Sequence, residues 1–128
     1  MKRKILIAVA VLFVAVAATG LWYKIRLNEM YNTFESEQIT DIDLGSFENG
    51  EYTGDAGDFV ISVRLSVTVE NHCITRIDIL NQSGGKGYEA HEILDRIIEA
   101  QSPDVDVVTG ATGSSRCIMI AVRNALTP

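Results

Sequence analysis

Histidine, cysteine and basic residues are scarce in this chain of 128 residues, and each scarcity narrows what it does. Two histidines and two cysteines are present, and none of them has a second ligand at metal-binding spacing. His72 reads as a turn residue and His91 as a residue on the solvent side of a helix, so no metal site is expected. Cys73 and Cys117 both sit beside apolar residues and read as two buried free thiols, with a disulfide in an oxidising exterior as the alternative. No cysteine lies near the end of the N-terminal apolar run, which argues against a lipoprotein anchor. Basic residues are fewest where they matter most for partners. All 17 acidic residues lie after Leu27, against Arg64, Arg76, Lys86, Arg96, Arg116 and Arg123, a net charge of −11 for that part. Phosphate backbones are repelled by such a surface, so nucleic acid is excluded as a partner. No nucleophile–base pair is evident either, and no catalytic residue is assigned. Internal repeats and low-complexity tracts are also missing, and the length suits one domain with a real core.

What the N-terminus does have is a long apolar run. Ile5 to Tyr23 contains no charged residue and follows Lys2-Arg3-Lys4. About 20 apolar residues cross a bilayer as a helix. Trp22 and Tyr23 stand where an aromatic interface belt belongs, and the basic start places the N-terminus inside. Residues 1–27 are therefore expected to be a single-pass anchor in the lipid bilayer, with the remainder extracytoplasmic. A cleaved signal peptide, processed at Ala15-Val16-Ala17, is the competing reading. Residues 28–49 read as a stalk and an acidic linker, and residues 50–128 as the domain.

Within the domain, Phe59, Ile61, Val63, Leu65, Val67 and Val69 alternate with mostly polar residues, which predicts a half-buried antiparallel strand. Asn71-His72 supplies a tight turn, and Ile74 to Leu80 returns as a second strand. A loop with three glycines, Asn81 to Tyr88, leads to a helix over Glu89 to Ala100 with Ala90, Ile93, Leu94 and Ile97 on one face. Pro103 prevents the helix from continuing. Val105 to Val108 is short and β-branched and predicts a third strand, on which Asp104 and Asp106 share a face. Arg116 to Leu126 is helical, with Ile118, Ala121, Val122 and Ala125 at helical spacing. The order β, β, α, β, α predicts an α+β fold: a small antiparallel sheet with helices packed on one side, preceded by one transmembrane helix.

The stretch Asp106-Val107-Val108-Thr109-Gly110-Ala111-Thr112-Gly113-Ser114-Ser115 organises the rest. Thr112, Ser114 and Ser115 are N-cap candidates for the last helix. The unpaired N–H groups of a helix start attract a phosphate, and small residues let a ligand or another protein's active site approach the backbone. An ordinary well-capped helix after a tight turn explains the same residues.

Asp106 to Thr112 resembles the flavinylation signature of the FMN-binding domain family, which includes FMN-carrying subunits of sodium-translocating quinone reductases and Rnf electron-transport complexes. The signature is Asp, two variable residues, Ser or Thr, Gly, Ala, Thr, often followed by a Ser pair and a helix. The resemblance covers nearly all of Gly50 to Leu126. It implies FMN as cofactor, carried by Thr112 through a phosphoester that a dedicated flavin transferase makes from FAD. It also implies Asp106 as a transferase recognition residue, and Thr109, Gly110, Ala111, Gly113, Ser114 and Ser115 as cofactor-binding neighbours. Gly85, Lys86, Gly87 and Tyr88 would wall the flavin, with Tyr88 at the ring and Lys86 at the phosphate or the reduced flavin. One residue departs from the pattern: Val107 stands where covalent members often have Gly or Ala, and non-covalent FMN is the alternative it leaves open. The function implied is a membrane-anchored extracytoplasmic electron-transfer protein, a carrier or redox subunit more than a stand-alone enzyme. Its partners would be redox proteins or a quinone-linked membrane complex. A non-redox surface binding module and a flavoenzyme reducing a small external acceptor are the alternatives.

Overall fold

The computed structural model describes residues 1–58, 60–84 and 91–127. The chain divides into two compact units, Met1–Asn32 and Thr33–Pro128. Helix α1 runs over Lys2–Ser36. From Ile5 to Trp22 its large apolar side chains, such as Ile5, Leu12, Phe13 and Val16, are more than half exposed. A helix that is apolar on every side needs an apolar solvent. Ile5 to Tyr23 as a helix measures about 30 Å, the thickness of a bilayer's hydrocarbon core. Among the described residues this is the helix long and apolar enough to cross a membrane.

The second unit holds a three-stranded antiparallel sheet in the order β1-β2-β3. Strand β1 covers Gly50–Gly57, β2 Ser62–Glu70 and β3 Cys73–Ser83. The alternation in β2 does what a period of two requires, burying Val63, Leu65, Val67 and Val69 on one face. Asn71 and His72 make the turn to β3, both with positive φ (52° and 63°), as a two-residue primed turn demands. Two register shifts in the β2–β3 pairing leave Thr75 and Leu80 as extra residues, and Leu80 is accordingly exposed.

Strand β1 went unrecognised in the sequence. It has three glycines and three polar residues among its eight and no apolar alternation. Its pairing with β2, from Gly50 opposite Val69 to Gly57 opposite Ser62, is what makes it a strand.

Among the described residues the sheet is followed by two helices, α2 over Glu92–Ala100 and α3 over Thr112–Ala125. The described part of α2 lies inside the predicted range, and Ile93 and Ile97 are its buried residues. It ends at Gln101, which adopts the left-handed conformation. The Gln101 side chain offsets that strain by accepting from the Ile74 N–H at 2.7 Å and donating to the Ile74 carbonyl at 2.9 Å. Helix α3 packs on β1 and β2 and touches α2. Cys117 to Val122 is buried without a break, so α3 is the centre of the core.

Residues 33–49 also belong to this unit, and they lie along it through specific bonds. Arg116 donates to the carbonyls of Phe34 (3.2 Å) and Glu37 (3.1 Å), and Arg123 donates to the Glu37 carboxylate at 2.7 Å. The Ser102 hydroxyl donates to the Asp41 carboxylate.

The predicted strand over Val105 to Val108 is not one: residues 104–108 pair with no strand. Asp104 and Asp106 are consequently exposed on a free segment and share no sheet face.

The two thiols also differ from expectation. Both are free, but only Cys117 is buried; Cys73, the first residue of β3, is exposed. Burial pushes the Cys117 thiol up from 9.0 to about 12, with the nearby Asp58 charge adding to the rise. The unfolded thiol ionises near 9.0 and the folded one near 12, so stability falls as pH rises across that interval. A maleimide at pH 8 is expected to label Cys73 alone in the native chain and both cysteines in denaturant. Rapid labelling of two thiols in the native chain would contradict this placement, and mass spectrometry reads the difference.

Candidate functional site

The site is built where α2 hands the chain to α3. The Ala111 N–H donates to the Val108 carbonyl at 3.0 Å, closing a four-residue turn over Thr109 and Gly110. Gly110 has φ of 83°, a left-handed value that type II turns require at this place and that glycine adopts without strain. Among the described residues nothing lies within 4 Å of where a side chain on Gly110 would point.

Helix α3 begins directly after this turn. Its N-cap is Ala111, which has no side-chain oxygen and makes no cap bond. The predicted cappers are therefore placed one or more residues inside the helix. Thr112 is the first helical residue and is exposed, whereas Ser114 and Ser115 are buried. Ser115 uses its hydroxyl oxygen to accept from the Val108 N–H at 3.1 Å, tying the helix to the segment before the turn. A first turn without a side-chain cap leaves its N–H groups to another acceptor.

The segment before the turn is fixed from the other helix. Arg96 of α2 donates one nitrogen to the carbonyls of both Asp106 and Val107, each at 3.0 Å. Its second nitrogen is held by Glu92 at 2.7 Å, one turn back on the same helix. These carbonyls bond a guanidinium, and Val105 to Val108 pairs with no strand. Arg96 was missed in the sequence. Its pairing with Glu92 is legible there at i,i+4 spacing, but its acceptors ten residues on are not.

Of the sequence-predicted residues, Asp106, Thr109, Gly110, Ala111, Thr112, Gly113, Ser114 and Ser115 thus form one continuous corner. Asp106, Thr109, Gly110 and Thr112 are exposed in it, and Ala111, Gly113, Ser114 and Ser115 are buried. Gly85, Lys86, Gly87 and Tyr88 lie outside the described residues. Among the described residues no group of His, Cys, Asp and Glu is placed to hold a metal.

An exposed Thr112, a helix start without a side-chain cap and a glycine turn are features of the kind that attract a phosphate. The family model of the FMN-binding domain matches residues 59–127, more than half of the chain, and the chain belongs to that family. FMN is its cofactor. No curated protein matches the chain. Strand β1 lies outside the matched residues and still completes the sheet.

Proposed function

We propose that this protein is a membrane-anchored, extracytoplasmic electron carrier whose FMN is attached to Thr112 through a phosphoester. The observation that carries the reading is the exposure of the Thr112 hydroxyl at the first residue of α3, beside an uncapped first turn. In attachment, the Thr112 oxygen bonds to the FMN-side phosphorus of FAD and the anhydride bond to AMP breaks. AMP leaves, and the hydroxyl proton passes to a base of the transferase. The helix start then stabilises the ester's negative charge. FMN supplies the electron chemistry, and this chain supplies position and surroundings. Val107 is half-buried in this corner, which supports access by a transferase despite its branching. The acidic surface and the exposed apolar helix favour an anchored domain that meets soluble or membrane-bound redox partners.

Protein isolated from its native host should stay in membranes through carbonate washing and show flavin absorbance. Its intact mass should exceed that of the chain by one esterified FMN. A soluble form starting near Ala18 would replace the anchor by a cleaved signal. A flavin released by denaturation, with no mass increase, would replace the ester by non-covalent binding.

A further inference from the structure

We propose that Arg96, steadied by Glu92, is a positioning residue for flavin attachment: it holds Asp106 and Val107 in the fixed, sheet-free form a transferase must grip. The proposal rests on the covalent reading above. Three consecutive residues before the turn are held by side chains from two helices, and by no ladder. Arg96 takes the carbonyls of Asp106 and Val107, and Ser115 takes the N–H of Val108. All three holds are on main-chain groups, so the backbone is ordered while the exposed Asp106 side chain takes no part in them.

A groove of about 690 Å³, lined by Arg96, Glu99, Ala100, Asp104, Val105 and Asp106, runs beside the segment and leaves room for an incoming protein. A segment ordered in advance is bound with less entropy lost than one that must be ordered on binding. A guanidinium suits this task because its fixed fork serves two carbonyls and a carboxylate together, which an ammonium does less well.

The test uses the full chain in detergent, a flavin transferase and FAD, with covalent incorporation followed by in-gel fluorescence at varied protein concentration. Arg96→Gln is expected to raise the KM for the protein roughly tenfold, the usual scale of a charged hydrogen bond lost. Its kcat should stay near wild type, and Arg96→Lys should recover part of the loss. Asp95→Asn, exposed on the same helix but outside that groove, should behave as wild type. In parallel, amide hydrogen exchange at Val107 to Thr109 should quicken in Arg96→Gln while the sheet stays protected.

Wild-type KM and exchange in Arg96→Gln would overturn the proposal, as would an equal rise in KM from Asp95→Asn. Should Arg96→Gln not fold, Glu92→Gln replaces it; a several-fold rise in KM is expected there, and an unchanged KM overturns the proposal. A wild type that takes up no covalent flavin would overturn the covalent reading and this inference with it. That outcome is seen in the wild type, whereas failure of the inference alone is seen only in the variants.

Discussion

Thr112→Ala is expected to abolish the covalent mass increase of one FMN while leaving the fold intact. The loss should be complete, because the ester requires an oxygen at that side chain. The fold should survive because Thr112 is exposed and its side chain makes no cap bond. Exposed substitutions of this kind usually change stability by no more than about 0.5 kcal/mol. Thr112→Ser keeps the oxygen and should still be modified. Thr109 is the other exposed hydroxyl of the corner, but it lies inside the turn and not at the helix start. Peptide mapping decides between them: flavin on the Thr109 side of a mutant that lacks the Thr112 hydroxyl would move the attachment point.

A large loss of stability is expected from Gly54→Ala. Gly54 sits in β1 opposite Leu65, facing α3. A Cβ there would lie 2.2 Å from the Ala121 carbonyl oxygen and 2.5 Å from the Ala125 nitrogen. Both obstacles are helix backbone, so no rotamer change relieves the clash and the whole helix must shift. Overpacking costs typically about 1–3 kcal/mol, and a rigid obstacle puts this case at the upper end or above it. A loss of about 3 kcal/mol or more is a large part of a domain's stability. Urea unfolding of the full chain in detergent should show a much lower midpoint for Gly54→Ala. Gly50→Ala, where a Cβ meets nothing within 4 Å, serves as the control and should unfold near wild type. A wild-type midpoint for Gly54→Ala would mean that α3 stands farther from β1. Because α3 begins at Thr112, any shift it makes also moves the attachment corner.

The sequence by itself determined the elements whose signal is local. Ile5 to Tyr23 lacks charge over a membrane's thickness, and α1 follows. The alternation from Ile61 to Val69 places one face of β2 inside, and Asn71-His72 tolerate the positive φ their turn needs. The spacing of Ile93 and Ile97, and of Ile118 and Val122, gives the buried stripes of α2 and α3. The signature from Asp106 to Thr112 is equally local, and it led to FMN, the cofactor of the matched family. Only the tertiary structure decided the rest, because those features depend on partners distant in the chain. Strand β1 exists through its pairing with β2, since its own residues carry no pattern. Val105 to Val108 has the composition of a strand but joins no ladder, and two of its carbonyls bond Arg96 of α2. Cys73 and Cys117 look alike in the sequence, yet one begins a strand in solvent and the other lies under the sheet. Ser115 has the chemistry of a helix cap but is buried against Val108, and Ala111 takes the cap position. Local periodicity fixes which way a side chain faces; which group stands opposite it is settled only when the helices close over the sheet.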